Sequence, residues 1–221
     1  MVIVLYCLAV AISWVLSGHW VATGSSGLVY NKDRESHATS VVIGQKDGKL
    51  FVLTAEHVIS NARRIRYRYQ TTSGPSPFTD QVEVLVRDPS LDIALLQVDV
   101  TDEALPRSVA RLSKRTRTAE FPFAAWSVGV DPMANPQARI ETVLAKRLLR
   151  LPRGEERFAW ECQKPAEKGQ SGGGLFNTHG ELIGICSGIH NGKGYFTHID
   201  EIRHRLRRTP FDWLLTNGQE K

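Results

Sequence analysis

The chain has 221 residues, 42% of them hydrophobic and 23% charged, which is enough material for a sizeable core or a pair of small barrels. It has no internal repeat and no low-complexity tract, which excludes fibrous and solenoid classes. The formal net charge of +5 is modest, and no nucleic-acid motif accompanies the arginine clusters at 63–68 and 203–208.

In chain order, Val2–Leu16 is an almost unbroken apolar run that includes Cys7. Its length fits the core of an export signal and falls short of a comfortable membrane span. No Lys or Arg precedes it, and Trp20-Val21-Ala22 extends it, so 1–24 reads as a signal peptide or as an N-terminal anchor. Residues 24–35 form a polar lead-in. Thr39–Ile43, Lys49–Leu53, Ile65–Tyr69, Gln81–Val86 and Ile93–Val98 then read as short strands, parted by turns such as Lys46-Asp47-Gly48 and Ser73-Gly74-Pro75. Thr101–Arg117 is polar, basic and contains Pro106, as a linker would.

A second series follows at Ala124–Val128, Ile140–Leu149, Arg157–Cys162, Gly173–Phe176, Glu181–Cys186 and Gly194–Thr197, with turns at Asp131-Pro132 and Arg153-Gly154. A helix over about Asp200–Leu215 closes the chain, with Pro210 expected to end or kink it. The architecture expected is all-β: two antiparallel six-stranded barrels and a C-terminal helix. Residues 25–105 form the first barrel, 106–199 the second, and 200–221 the helix and tail.

Three stretches carry chemistry. Gly169-Gln170-Ser171-Gly172-Gly173-Gly174 places a serine in a chain that turns sharply, so the amides of Gly169 and Ser171 can aim at one point. A serine hydroxyl needs a base to become a nucleophile. His57 in Thr54-Ala55-Glu56-His57, after a strand, is the candidate base, and Asp92, opening Asp92-Ile93-Ala94-Leu95-Leu96, the candidate orienting acid. Alone, each is an ordinary core histidine, turn former or glycine-rich turn; together they run His, Asp, Ser.

With these motifs the chain resembles trypsin-like serine peptidases of the bacterial kind related to the Do (high-temperature-requirement) proteases, over residues 25–205. Gly180–Ile185 and Gly192–Phe196 match the strands after the nucleophile. The resemblance implies Ser171 as nucleophile, His57 as general base and then acid, and Asp92 as the group that holds the imidazole. It implies an oxyanion hole from Gly169 and Ser171, and a site in the cleft between the barrels. It places Pro165, Lys168, Ser187, Gly188, Ile189 and Gly194 around the substrate, with Ser187 in the segment that pairs with substrate backbone. No PDZ-like domain is expected to follow.

Departures from the family pattern narrow these expectations. Gln170 stands where digestive relatives carry an aspartate that captures a freshly cut amino terminus, so activation by such a cut is not expected. Position 165 is Pro and not the acid that selects Arg or Lys, and Cys186 replaces a histidine used by glutamyl-specific relatives. Glu167 is expected nearer the oxyanion loop than the pocket floor, with Lys168 to neutralise it. Small or medium apolar residues are therefore the expected preference. Glu56 replaces a small residue, with no role assigned. The resemblance places Cys162 and Cys186 on strands separated by a third, which argues against a disulfide.

The expected activity is that of an exported serine endopeptidase acting on peptides or proteins, with no cofactor, no metal cluster and no nucleic acid partner. The alternatives are a catalytically silent relative that binds peptides in the same cleft, and an anchored scaffold; membrane contact would come through the N-terminal segment alone.

Overall fold

A computed structural model describes residues 18–100, 105–114, 120–151 and 154–216. The expected leader lies outside the described residues up to position 17, as do parts of the expected linker (101–104 and 115–117) and Arg153 of one turn. Residues 18–24 are helical. No helix among the described residues is long and apolar enough to cross a membrane.

The first half is a seven-stranded sheet built from β1 (Ser26–Asn31), β2 (Ser36–Lys46), β3 (Lys49–Thr54), β4 (Ile65–Thr71), β5 (Gly74–Pro75), β6 (Val82–Asp88) and β7 (Ile93–Asp99). Its order is β5-β4-β1-β2-β3-β7-β6. A four-residue helix, Glu56–Ile59, follows β3 directly. The second half contains β8 (Arg111–Leu112), β9 (Phe123–Val130), β10 (Pro136–Arg150), β11 (Glu156–Cys162), β12 (Gly174–Phe176), β13 (Glu181–His190) and β14 (Lys193–His198). The order there is β12-β9-β10-β11-β14-β13-β8, and β12 also pairs with β13.

Three expectations are corrected. Each sheet has seven strands, not six, because the two-residue pieces β5 and β8 are too short to leave a period in the sequence. The polar lead-in contains β1, whose Ser26, Leu28, Val29 and Asn31 are buried. Its polar residues gave it the look of a loop, but it is flanked by β2 and β4, and a central strand needs its backbone paired more than its side chains apolar. The closing helix is Ile199–Leu206 and stops four residues before Pro210, with a separate 3₁₀ turn at Asp212–Thr216. Ring closure at Pro210 removes a donor, and the chain turns before reaching it.

The central strands of the first half are buried on both faces. In β3, Phe51 and Leu53 belong to one apolar cluster and Leu50 and Val52 to another; in β7, Ile93 and Leu95 part in the same way from Ala94, Leu96 and Val98. The first of these clusters continues into the other half through Val128, Phe176, Leu182 and Ile185, and on to Ile199, Ile202 and Leu206 of the terminal helix. This explains apolar runs in place of clean alternation. Each fully buried aliphatic side chain is worth roughly 1.5–3 kcal/mol against exposure, so the shared core sets the two halves against each other. The site lies at that junction.

Candidate active site

His57 is delivered by the first turn after β3. Ala55 is fully buried in front of it, and the imidazole remains about half exposed, side-chain exposure being 48%. Asp92 sits in the turn before β7 with φ of 53°, a left-handed conformation that aspartate tolerates better than most residues. The turn is tied locally, since Asp88 Oδ1 accepts from Ser90 Oγ at 2.6 Å and from the Leu91 amide at 3.1 Å. Asp88 itself is held by Arg205 of the terminal helix at 2.9 Å.

The two side chains meet. His57 Nδ1 lies 2.9 Å from both Asp92 carboxylate oxygens, and the His57 backbone amide donates to Asp92 Oδ1 at 3.0 Å. The hydrogen bond that His57 donates to Asp92 holds the imidazole above its ordinary pKa of 6.5, aided by the charges of Asp92 and Glu56 and opposed by burial and by Arg157. Burial pushes the Asp92 carboxyl up, but its bonds to His57 and Ser187 outweigh that and leave it below the usual value. With Nδ1 committed to a carboxylate, Nε2 is the nitrogen that can take a proton.

Ser187 was expected in the segment that pairs with substrate backbone, which is a role of its main chain. Its hydroxyl donates to Asp92 Oδ2 at 2.7 Å and accepts from Arg157 at 2.8 Å. Neither partner was foreseen, because three segments distant in sequence converge on one carboxylate.

Ser171 comes from the loop before β12, and this loop is docked onto the first sheet. The Thr39 amide donates to the Ser171 carbonyl at 2.9 Å, and Thr39 Oγ1 donates to the Gly169 carbonyl at 2.7 Å. Gly172 has φ of +78°, and a Cβ there would collide with Thr54 Oγ1, the Thr39 carbonyl and the Ala55 amide nitrogen. The glycine is required because the loop lies hard against the residues that immediately precede His57. Among the described residues no hydrogen bond joins Ser171 to His57. A catalytic hydrogen bond commonly tightens only when substrate is present. The amides of Gln170, Gly172 and Gly173 are spent on Glu167, Cys186 and Gln170 carbonyls. Those of Gly169 and Ser171 have no partner among the described residues, as donors kept for an oxyanion would.

Gln170 is buried and takes the role of an internal brace. Its Oε1 accepts from the Glu167 amide at 2.9 Å, and its Nε2 donates to Ser127 Oγ at 3.0 Å. Arg139 secures the same stretch by donating to the Pro165 carbonyl at 2.7 Å and pairing with Glu167. The cation paired with Glu167 is thus Arg139 of β10, and Lys168 stands exposed on a turn.

Of the expected substrate residues, Ser187, Gly188 and Ile189 lie at the end of β13, where Ile189 pairs with Gly194 of β14. The Gly194 amide donates to the Lys164 carbonyl at 2.9 Å, which brings Pro165 alongside. A Cβ on Gly194 would sit 2.7 Å from that carbonyl, so glycine is needed for the approach. Lys168 is exposed, and no described contact joins it to this group. Glu56 is buried and lies 4.0 Å from Arg87. Cys162 and Cys186 are buried free thiols, on β11 and β13 with β14 between them. A groove lined by Lys32, Arg64, Ile65, Asp80 and Val84 belongs to the edge of the first sheet and includes none of these residues.

Comparison with known proteins agrees with this geometry. Residues 38–185 match the trypsin-like peptidase domain. A "probable periplasmic serine endoprotease DegP-like" of Pseudomonas fluorescens is 30% identical over 76% of this chain and 33% of its own length. The mitochondrial serine protease HTRA2 of Bos taurus is 29% identical over 77% of this chain and 36% of its own. The chain thus spans about a third of the length of these relatives. Among solved structures, Deg5 superposes with a TM-score of 0.71 at 17% identity, covering 94% of this chain and 97% of that one, which shows a shared fold. By its match across two thirds of its length and by its mostly β, chymotrypsin-like fold, the chain belongs to the trypsin-like peptidase domain family, among relatives of the DegP and HtrA proteases.

Proposed function

We propose that this protein is a serine endopeptidase that cleaves peptide bonds through an acyl-enzyme, with Ser171 as nucleophile, His57 as general base and Asp92 as the acid that orients it. The observation that carries the reading is the His57 Nδ1–Asp92 contact at 2.9 Å beside a serine loop pinned to Thr39 and Thr54. In this reading Nε2 takes the Ser171 proton as the hydroxyl oxygen attacks the scissile carbonyl, and it later returns a proton to the departing amine. The amides of Gly169 and Ser171 receive the oxyanion; one such donor is worth roughly 2.7–4 kcal/mol of barrier lowering.

Substrate lies along Ser187, Gly188 and Ile189, with its side chain between Pro165 and Gly194. Pro165 stands where an acid would select Lys or Arg, and Glu167 is engaged by Arg139, so small or medium apolar residues are favoured on the acyl side. Gln170 does with neutral hydrogen bonds what an ion pair to a new amino terminus would do, which supports activity without a specific internal cut. The chain is exported, a reading supported by the apolar run at 2–16 and by relatives described as periplasmic. The two-barrel reading has support in the second half, where β12 pairs with both β9 and β13.

Labelling with a serine-directed phosphonate tests the proposal. The parent protein is expected to be labelled, and Ser171→Ala to lose the label and several orders of magnitude in kcat with an unchanged melting curve. An unlabelled, folded parent would point to the alternative, a silent relative that only binds peptides.

A further inference from the structure

Arg157 is the one strongly buried arginine that the chemistry above leaves unexplained. It stands near the start of β11 in the second half and is 8% exposed. One guanidinium nitrogen donates to Ser187 Oγ at 2.8 Å, and another reaches Thr197 Oγ1 at 3.4 Å. Each hydroxyl passes the connection on. Ser187 donates to Asp92 Oδ2 at 2.7 Å, and Thr197 donates to the Leu91 carbonyl, also at 2.7 Å. Both relays end on the Leu91–Asp92 turn, one on the side chain and one on the backbone just before the left-handed residue.

We propose that Arg157 is a positioning residue for Asp92, bracing the acid from the opposite half of the molecule through Ser187 and Thr197. This rests on the triad reading above. A left-handed non-glycine residue persists only where its surroundings over-determine it, and here the local ties of Asp88 are joined by bonds from β11, β13 and β14 across the junction. The placement is costly as plain fold stabilisation. No carboxylate pairs directly with Arg157 among the described residues, and its Nε is buried without a partner. Burial lowers its pKa, and the carboxylates that oppose this are Asp92, Glu201 and Asp88. A planar fork can hold two hydroxyls at fixed separation, which a lysine ammonium on a flexible stem cannot do.

The cation also faces His57 at longer range. Around the imidazole, Asp92 and Glu56 favour its charged form and Arg157 opposes it, while Arg87 is the partner of Glu56. Removing Arg157 therefore has two distinguishable consequences: a looser acid, and a more easily protonated base.

The experiment uses the full chain with Arg157→Met and Arg157→Lys. Turnover of a peptide substrate is measured in each, and the His57 titration is followed by proton NMR in the Ser171→Ala background. For Arg157→Met, kcat is expected to fall about 10- to 100-fold with KM nearly unchanged, while loss of the cation raises the His57 midpoint and a looser Asp92 lowers it. Arg157→Lys keeps the charge, so its midpoint is expected to fall below that of the parent, and kcat to recover only in part. A folded Arg157→Met protein with parental kcat, or an Arg157→Lys protein with parental kcat and midpoint, would overturn the proposal. If the Met variant does not fold, Arg157→Lys decides: reduced kcat supports the brace and parental kcat overturns it. Loss of the fold in both variants would also overturn it, by making Arg157 a group that holds the fold. A parent inert to phosphonate would sink the triad reading, whereas the NMR titration would still report whether Arg157 and His57 are coupled.

Discussion

The two halves of the molecule reach the same junction by opposite means. The first buries long apolar runs on both faces of β3 and β7 and presents His57 and Asp92 from short turns at the ends of those strands. The second buries polar and charged groups near the junction: Ser127, Glu141, Arg157 and Gln170 are all among its buried residues. A hydrophobic core fixes strand register cheaply, so turns at strand ends inherit their positions from it. A glycine-rich loop has no apolar side chains with which to anchor itself, and must be held by directional bonds whose removal leaves buried groups unsatisfied. Packing of β3 and β7 thus places the strand ends that carry His57 and Asp92, while hydrogen bonds, some of them from Thr39 of the first half, hold the loop of the second.

Substitutions that strike one strategy and not the other test this contrast. The largest effect is expected from Asp92→Asn, at the point where both strategies meet. It should keep the fold but cost about 10⁴-fold in kcat, since an amide favours the wrong imidazole tautomer; the measurement is kcat beside a thermal melt. Next is Gly172→Ala, which places a methyl group against Thr54 and Thr39 at a positive φ. It should cost about 2 kcal/mol or more of stability by denaturant titration and lose most activity, because the loop must lift off the first sheet.

A smaller effect is expected from Gln170→Ala, which strips the loop of a brace and strands Ser127 and the Glu167 amide. Stability should drop by about 1–3 kcal/mol. Turnover should fall more than KM rises, and equal kcat in parent and variant would refute the bracing role. The smallest is a shift in pH dependence with Glu56→Gln. The imidazole is held above 6.5, so the rise of kcat/KM with pH should be centred above that value, where His57 becomes neutral. Removing the Glu56 charge should move the midpoint down. For stability the sign runs the other way, because a raised His57 pKa contributes below the ordinary value and that contribution is lost as pH rises through the folded pKa.

Glu161 offers a control remote from catalysis. Hydrogen bonds from Arg147, Lys193 and Tyr195 hold its carboxyl down to about 2. That contribution is present above the ordinary carboxylate pKa and fades as pH falls towards 2, so Glu161→Gln should lower the melting temperature at neutral pH and converge with the parent in acid.

Much of this was legible before any coordinates. Ser171, His57 and Asp92 stand out because the nucleophile, base and acid proposed for them each need a particular local setting: a glycine turn, the end of a strand, the start of another. The strand series was also legible, since period and turn residues are local properties. What tertiary structure alone decided is whatever depends on segments far apart in the chain. Ser26–Asn31 became a central strand because two neighbours supplied its hydrogen bonds, despite its polar sequence. Glu167 found Arg139 in place of the adjacent Lys168, because β10 runs beside the loop. The Ser187 hydroxyl found Asp92, and Arg157 stood behind it, across separations of 95 and 30 residues. A side chain's type is written in the sequence, but its partner is chosen by the few ångströms over which a hydrogen bond acts, and those only the fold can set.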